Sequence, residues 1–158
     1  MAGKERLEQY LQEHNVAFEE QHHPTAYTAQ EVAAAEHVPG RLVAKCVIAV
    51  ADGQMVMLVL PAVHQVDMAR VVEMLGASEV RLAQEDEFAD TFPDCEVGAM
   101  PPFGNLYQVP VYVDRSLAED ETIVFPAGTH TETLSMKYAD FERLVSPLVG
   151  DFRQTAAV

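Results

Sequence analysis

The sequence is poor in basic residues relative to acidic ones. Ten lysines and arginines stand against twenty-five aspartates and glutamates, which gives a formal net charge of -15. A protein that binds along a phosphate backbone gains its affinity by placing cations against phosphates, so this balance excludes an extended nucleic-acid surface. Any contact with a nucleic acid is therefore expected to be small and local, with weak and salt-sensitive affinity.

Cysteine and long apolar runs are also scarce. Cys46 and Cys95 lie far apart without CxxC spacing, which predicts two reduced thiols rather than a disulfide framework. The longest apolar run, residues 55–63 with Pro61 inside it, is shorter than the roughly 18 residues of a membrane span. Because the first six residues, Met-Ala-Gly-Lys-Glu-Arg, lead into a charged segment rather than an apolar signal core, we expect a cytoplasmic protein that is not exported.

Length and composition predict one domain. The 158 residues, 49% of them hydrophobic, suit one core. We expect a single α/β domain over residues 1–158, with a mixed, twisted β-sheet flanked by helices. Apolar periodicity and turn signals predict the elements. They are helices over 4–14, 28–38 and 67–75, strands over 16–21, 42–50, 55–60, 111–114, 122–125 and 131–135, a short strand or turn and then an acidic helix within 79–92, and a closing helix through Phe141, Leu144, Val145 and Leu148.

Three local signals support these boundaries. Thr28 and Glu31 match a capping box, in which Thr28 accepts from exposed N–H groups and Glu31 reaches back. Asp52-Gly53 suits a two-residue hairpin turn, whose second strand is apolar on both faces and so predicted to be central and covered. Asp67 is expected to cap a helix that Gly76 ends.

Lys45 is the first candidate for chemistry, because it interrupts an apolar strand. Side-chain alternation puts Lys45 on the same face as Val43 and Val47 and puts Cys46 on the opposite face. A lysine in a covered strand needs an anionic partner, a ligand or an opening to water. The alternative is an edge-strand lysine whose ammonium reaches solvent along a buried stem. Cys46 is expected to be a buried structural thiol.

Two turns rich in glycine and proline are further candidates. Residues 98–105 hold two prolines and two glycines, which fix the backbone and let it present N–H groups to a carbonyl or phosphate oxygen. Residues 125–133 place His130 in a hydroxyl-rich turn, where it could orient a water or hold a substrate amine or ribose hydroxyl. A plain surface turn is the alternative for each.

The histidines do not form a metal-binding pattern. His22 and His23 are adjacent, so on a strand they point to opposite faces, and HxH and HExxH spacings with His64 or His130 do not occur. We therefore expect no metal and no cofactor. The sequence also lacks the GxSxG and P-loop motifs.

Taken together, these segments resemble the YbaK-like, prolyl-tRNA-editing family of aminoacyl-tRNA deacylases over nearly the whole chain. His23-Pro24 followed by Thr28 resembles the family's early segment. Pro39-Gly40 before a strand with a single lysine resembles its hallmark, which maps the family's essential lysine onto that position. Residues 98–104 resemble its glycine- and proline-containing loop, and residues 127–131 resemble its later glycine turn.

The resemblance implies hydrolysis of the ester between a wrong amino acid and the terminal ribose of tRNA. Such an ester is already activated, so positioning and a stabilised oxyanion suffice without a strong nucleophile. We expect Lys45 to act as a cationic anchor at the carbonyl or terminal phosphate, and His130 to bind the amino group or orient the attacking water. Backbone N–H groups around residues 98–104 and at Gly128 are expected to complete the oxyanion site. The expected substrate-binding residues are Gly98, Met100, Pro101, Phe103, Gly104, Gly128, Thr129, Thr28 and His23.

The resemblance also implies the partners. Aminoacylated tRNA is expected to be touched at its 3′ end, with an aminoacyl-tRNA synthetase as a further partner and with neither DNA nor a membrane involved. The family favours a small amino acid of the alanine, serine and threonine class, although Cys46 replaces the asparagine that better-known members carry after the lysine. Two alternatives stay open: a non-catalytic module that captures a tRNA end, a nucleotide or a synthetase, and an esterase for simple amino-acid esters.

Overall fold

The computed structural model describes residues 3–154, in which eight strands form two sheets and six α-helices pack around them. The helices are α1 (Gly3–Glu13), α2 (Ala29–Glu36), α3 (Met68–Leu75), α4 (Glu85–Ala89), α5 (Arg115–Ala118) and α6 (Tyr138–Val145). The strands are β1 (Phe18–His22), β2 (Ala44–Ala51), β3 (Gln54–Pro61), β4 (Val80–Leu82), β5 (Val111–Asp114), β6 (Thr122–Pro126), β7 (Glu132–Lys137) and β8 (Leu148–Gly150). None of the helices described is long and apolar enough to cross a bilayer.

The strands divide between a five-stranded and a three-stranded sheet. The larger sheet has the order β4-β2-β3-β5-β8 and is mixed, because β4, β2 and β3 pair antiparallel whereas β3, β5 and β8 pair parallel. The smaller sheet, β1-β7-β6, is antiparallel throughout. A parallel bridge between Val43 and Val124 joins the two sheets just before Lys45. The α/β fold with a mixed sheet is thus confirmed, and the strands outside that sheet form a second one.

The β2–β3 hairpin is confirmed at the centre of the larger sheet. Asp52 and Gly53 both have positive φ, 49° and 83°, as a primed two-residue turn requires. Met57 and Val59 of β3 face the main core, whereas Leu58 faces a second apolar cluster beside α3. Apolar packing on both faces explains why β3 carries no alternation of polar residues.

The predicted helix caps are confirmed. The Thr28 hydroxyl accepts from the Glu31 N–H at 3.1 Å and donates to the Glu31 carboxylate at 3.0 Å, so the return contact runs between side chains. Asp67 accepts from the N–H groups of Ala69 and Arg70 at the start of α3, and Gly76 ends that helix with a φ of 63°. Thr28 and Asp67 thus bind one and two of the N–H groups that have no partner within their helices.

The expectation that Leu148 belongs to the closing helix is wrong. Helix α6 ends at Val145, and Ser146 takes a left-handed conformation with a φ of 51°. Pro147 disfavours a helical conformation at the residue before it. Leu148 instead begins β8 and pairs with Tyr112 of β5.

Candidate active site

A cavity of about 340 Å³ lies where the two sheets meet. Its walls come from the segment before α2, the start of α2, the start of β2, the segment after β3, the turn at Gly98 and the turn between β6 and β7. This volume falls within the range of sites for small molecules. The cavity therefore gathers segments that are widely separated in sequence.

The structure brings together part of the predicted site. The predicted residues that line the cavity are Lys45, His130, Gly98, Thr129, Thr28 and His23. The remaining five are Met100, Pro101, Phe103, Gly104 and Gly128, and they do not line it.

Residues 100–104 have a structural rather than a substrate-facing position. Met100 and Phe103 are buried in the main core, and Pro101 is buried beside them. A side chain on Gly104 would meet the Val109 carbonyl oxygen at 2.6 Å, so this glycine allows a close backbone contact. The loop thus anchors Gly98 at the cavity, and its later residues, which were predicted to bind substrate, are buried and do not line the cavity.

The N–H group of Gly128 is also committed elsewhere. It donates to the Ala99 carbonyl at 2.9 Å, and the Gly128 carbonyl accepts from the Glu96 N–H at 2.8 Å. Gly128 takes a φ of 94° and packs against the first residues of α1. Because its N–H is hydrogen-bonded to Ala99, Gly128 has no free N–H for an oxyanion in this structure, in contrast to the prediction from the sequence.

Lys45 reaches the cavity half-buried and without a carboxylate partner. Among residues 3–154, no Asp or Glu oxygen lies within 4.0 Å of its ammonium. Burial lowers the pKa of Lys45, because an ammonium loses hydration away from water. A half-buried lysine needs an anionic partner, a ligand or an opening to water, and here Lys45 borders an open cavity. Its ammonium is therefore available to an oxygen of a bound molecule.

Cys46 borders the same cavity and is half-buried there. Its side chain packs against the main core. Burial raises the pKa of the Cys46 thiol well above its ordinary range, so the thiolate needed for nucleophilic attack is disfavoured. This agrees with the expectation of a structural thiol.

His130 is held in one orientation by two hydrogen bonds. Its backbone N–H donates to the Glu96 carboxylate at 2.7 Å, and its ring Nε2 lies 2.8 Å from the Val97 carbonyl oxygen. Since a carbonyl oxygen can only accept, Nε2 carries the proton and Nδ1 of the neutral ring keeps its lone pair. A Cβ on Gly98 would lie 3.6 Å from Cε1 of this ring, so the glycine turn and the imidazole are neighbours.

Gly98 has a backbone N–H group without an acceptor in the described part of the chain. It takes a φ of 85° and lines the cavity. Within the described part of the chain, no backbone or side-chain acceptor takes a hydrogen bond from its N–H. The Gly98 N–H is thus free to donate to a developing negative charge on a ligand.

Several lining residues escaped the sequence analysis. They are Tyr27, Gln30, Gln65, Glu132 and Thr133. None is unusual in its local sequence, since each stands in a turn, a helix or a strand where its residue type is common. In β7, alternation puts Thr133 on the face opposite the core residues Leu134 and Met136, so strand periodicity gives no sign that Thr133 is buried at the cavity.

His23 belongs to a buried polar cluster behind the cavity wall. Its ring Nδ1 lies 2.7 Å from the Pro24 carbonyl oxygen, and Nε2 lies 3.6 Å from Oε2 of Glu36. The Thr133 hydroxyl donates to the same carboxylate oxygen at 2.6 Å. The side chains of His23 and Glu36 are only 2% and 3% exposed. These contacts join α2, β7 and the segment after β1 along one wall of the cavity. Oε1 of Glu36 receives no hydrogen bond from the described residues.

One group of possible metal ligands occurs beside the cavity. Ligand atoms of Glu20, His22 and Glu132 lie within 4.8 Å of one another. The Lys4 ammonium forms ion pairs with both carboxylates and thereby supplies a positive charge from the chain itself. These hydrogen bonds to Glu132 and Glu20 raise the pKa of Lys4, so it stays charged there.

Solved structures with this fold are known. A hypothetical protein, 20% identical in sequence, superposes with a TM-score of 0.85 over 94% of this chain and 99% of its own. A candidate trans-editing enzyme for prolyl tRNA synthetase, 18% identical, superposes with a TM-score of 0.83 over 98% of this chain and 99% of its own. At these identities the likeness shows the fold.

Two curated relatives share part of their length with this chain. The Multifunctional Ser/Thr-tRNA deacylase ProXp-y of Escherichia coli (strain K12) is 32% identical over 104 residues, which are 65% of this chain and 62% of that protein. The Proline--tRNA ligase of Bacillus mycoides (strain KBAB4) is 26% identical over 95 residues, which are 60% of this chain and 17% of that protein. The chain thus matches less than two thirds of either relative.

The family comparison covers more of the chain. The model of the aminoacyl-tRNA editing domain matches residues 23–144. This range begins at His23 and includes Lys45, Gly98 and His130, the residues that the structure brings to one cavity. The chain belongs to the aminoacyl-tRNA editing domain family.

Proposed function

We propose that this protein is an aminoacyl-tRNA deacylase that acts in trans and hydrolyses the ester between a small amino acid and the 3′-terminal ribose of tRNA. The observation that carries the proposal is Lys45, a half-buried ammonium that faces a cavity without a carboxylate partner in residues 3–154. Family membership supports the same reaction. The scarcity of basic residues is compatible with it, because only the acceptor end has to be bound.

The geometry supports a division of roles within the cavity. The Lys45 ammonium and the free Gly98 N–H stabilise negative charge on the ester carbonyl oxygen as water attacks. His130, with its proton held on Nε2, offers Nδ1 as an acceptor to the attacking water or to the amino group of the substrate. An activated ester needs this positioning and charge stabilisation rather than a protein nucleophile.

The cavity supports a small substrate side chain. Its volume of about 340 Å³ must hold the amino acid and the reacting end of the ribose. Three threonines, Thr28, Thr129 and Thr133, contribute to its lining, which suits the alanine, serine and threonine class. The relative named a Ser/Thr-tRNA deacylase supports the same class.

We further propose a cytoplasmic location and a transient association with a synthetase. The location follows from the proposed substrate, because charged tRNA is used in translation. The similarity to part of a proline–tRNA ligase supports a synthetase as the partner.

The test is deacylation of a panel of tRNAs charged with alanine, serine, threonine, cysteine or proline. Wild-type protein is expected to release one or two of these amino acids, and Lys45→Ala to reduce the rate at least about 100-fold, as loss of one oxyanion-stabilising group does in other enzymes. Lys137→Ala is the matched control, since Lys137 is an exposed lysine that also has no carboxylate within 4.0 Å in residues 3–154.

The outcomes separate the three functions. Lysine-dependent release establishes the deacylase and its substrate together. Retained activity in Lys45→Ala would contradict the mechanism. Binding of a charged end without release by any form would favour the non-catalytic module, and turnover of simple amino-acid esters with no preference for tRNA would favour the esterase.

A further inference from the structure

Exposed apolar side chains concentrate around the mouth of the cavity. Tyr27 lines the cavity and is 69% exposed. Val63 and Val97 are also exposed, and each is adjacent in sequence to a lining residue, Ala62 or Gly98. Of these three exposed side chains, Tyr27 is the one that belongs to the cavity lining itself.

Tyr27 presents a supported aromatic ring. Its centroid lies 4.9 Å from that of the His130 ring, at an interplanar angle of 55°. Because His130 is fixed by its bonds to Glu96 and Val97, it holds the inner side of the tyrosine in place. The outer side of the ring remains open to solvent. An aromatic ring held in this way loses little conformational entropy when it binds a flat partner.

The cations of the protein offer little help with phosphate binding. Eight of its ten lysines and arginines lie within 4.0 Å of a carboxylate oxygen: Lys4, Arg6, Arg41, Arg70, Arg81, Arg115, Arg143 and Arg153. Within residues 3–154, Lys45 and Lys137 have no such partner, and of these only Lys45 lines the cavity. A nucleic-acid end held here must therefore gain most of its affinity from contacts other than ion pairs.

We propose that Tyr27, supported by His130, is a stacking platform for the 3′-terminal base of the tRNA. The inference rests on the proposed function, because an ester seated beside Lys45 places the base of the esterified nucleoside near the cavity mouth. Stacking of an unpaired base on an aromatic ring is sequence-tolerant and needs no cation. Base stacking thus supplies binding affinity that the few unpaired cations of this protein do not provide.

The experiment uses an RNA hairpin with an unpaired 3′ end that carries a serine ester, and a matched hairpin whose terminal nucleotide is abasic. Steady-state deacylation is measured for wild type, Tyr27→Ala and Tyr27→Phe, with serine ethyl ester as a substrate that has no base. Leu148→Ala is the matched control, because Leu148 is 65% exposed on β8 and does not line the cavity.

On the hairpin with its terminal base, Tyr27→Ala is expected to raise KM roughly 10-fold to 100-fold, the range that loss of one stacking contact gives, with kcat little changed. Tyr27→Phe and Leu148→Ala should behave as wild type. On the abasic hairpin the effect of Tyr27→Ala should disappear, since the two deletions remove the same contact. Hydrolysis of serine ethyl ester should not change.

Three results would overturn the platform while leaving the deacylase intact. They are an unchanged KM in Tyr27→Ala, an equal loss on the normal and abasic hairpins, and an equal loss on serine ethyl ester, which would show that Tyr27 acts through His130. Failure of the proposed function has a different signature, namely that wild-type protein releases no amino acid from any charged tRNA or hairpin.

Discussion

At the scale of single residues, substitution of Gly128 distinguishes a structural role of this glycine from a chemical one. Its φ of 94° is strained for any L side chain, and an added Cβ would lie 3.3 Å from the Lys4 backbone nitrogen. We therefore expect Gly128→Ala to lower the free energy of unfolding by about 1–3 kcal/mol. Urea denaturation measures this loss, with Gly53→Ala as a control, because Gly53 has a similar φ of 83° but open space around it.

The same variant tests whether the Gly128 N–H belongs to the oxyanion site. Because the Gly128 N–H donates to Ala99, the folded fraction of Gly128→Ala should keep a near-normal kcat under conditions where the protein is stable. A large fall in kcat at full stability would instead return Gly128 to the oxyanion site.

Individual site residues differed in how well the sequence revealed them. Lys45 was visible because a charge inside an apolar strand is costly and needs a reason. His130 and Gly98 were visible through glycine-rich turns. Tyr27 and Glu36 were not, since an aromatic residue before a helix and a glutamate at a helix end are ordinary, and only tertiary contacts place one at the cavity and the other against His23.

At the scale of elements, Asp114 joins the end of β5 to the last described residues. Its buried carboxylate accepts from the N–H groups of Phe152 and Arg153 at 2.8 and 3.0 Å, from the Ser116 N–H at 3.1 Å, and from the Arg153 guanidinium at 3.1 Å. Burial raises the pKa of Asp114, but the hydrogen bonds that it accepts from the Ser116 hydroxyl and from the N–H groups of Phe152, Ser116 and Arg153 outweigh burial and hold the pKa below its ordinary value.

This arrangement predicts both a mutational and an acid sensitivity. Asp114→Asn should cost about 2–4 kcal/mol of unfolding free energy, because buried donors lose their charged acceptor.

Since the folded pKa of Asp114 is depressed, its contribution to stability is present above the unfolded pKa and lost as pH falls through the folded pKa. Urea denaturation at pH 7 and at about pH 3 should show the gap between wild type and variant shrinking in acid. Asp151→Asn, an exposed carboxylate near Arg153, should change little; an equal loss there would contradict the special role of Asp114.

Elements set by local signals were predicted well, and those set by distant pairing were not. The hairpin turn and the caps at Thr28 and Asp67 depend on neighbouring residues alone. The division into two sheets depends on which strands pair with each other. Strand β8 forms because Leu148 pairs with Tyr112, which lies more than thirty residues earlier in the chain. No local pattern in a three-residue strand distinguishes it from the end of the preceding helix.

At the scale of the whole molecule, charge pairing determines how salt affects binding of tRNA. The sequence alone predicted weak, salt-sensitive contact from its net charge of -15. The structure changes the expected salt dependence from strong to shallow. Almost every cation already has a carboxylate partner, and in the described residues Lys45 is the one cation that lines the cavity without such a partner. Each phosphate neutralised on a single strand contributes a slope of about -0.7 to the plot of log K against log salt concentration.

We therefore expect a shallow salt dependence for this protein, with a slope no steeper than about -1. The measurement is fluorescence anisotropy of a labelled hairpin that carries serine through a non-hydrolysable amide, titrated with protein at several sodium chloride concentrations. Lys45→Ala should bring the slope close to zero, whereas Lys137→Ala should leave it unchanged. A slope of roughly -3 or steeper in wild type would mean that arginines leave their carboxylates to meet phosphates, and the affinity would then come from the backbone of the RNA rather than from its end.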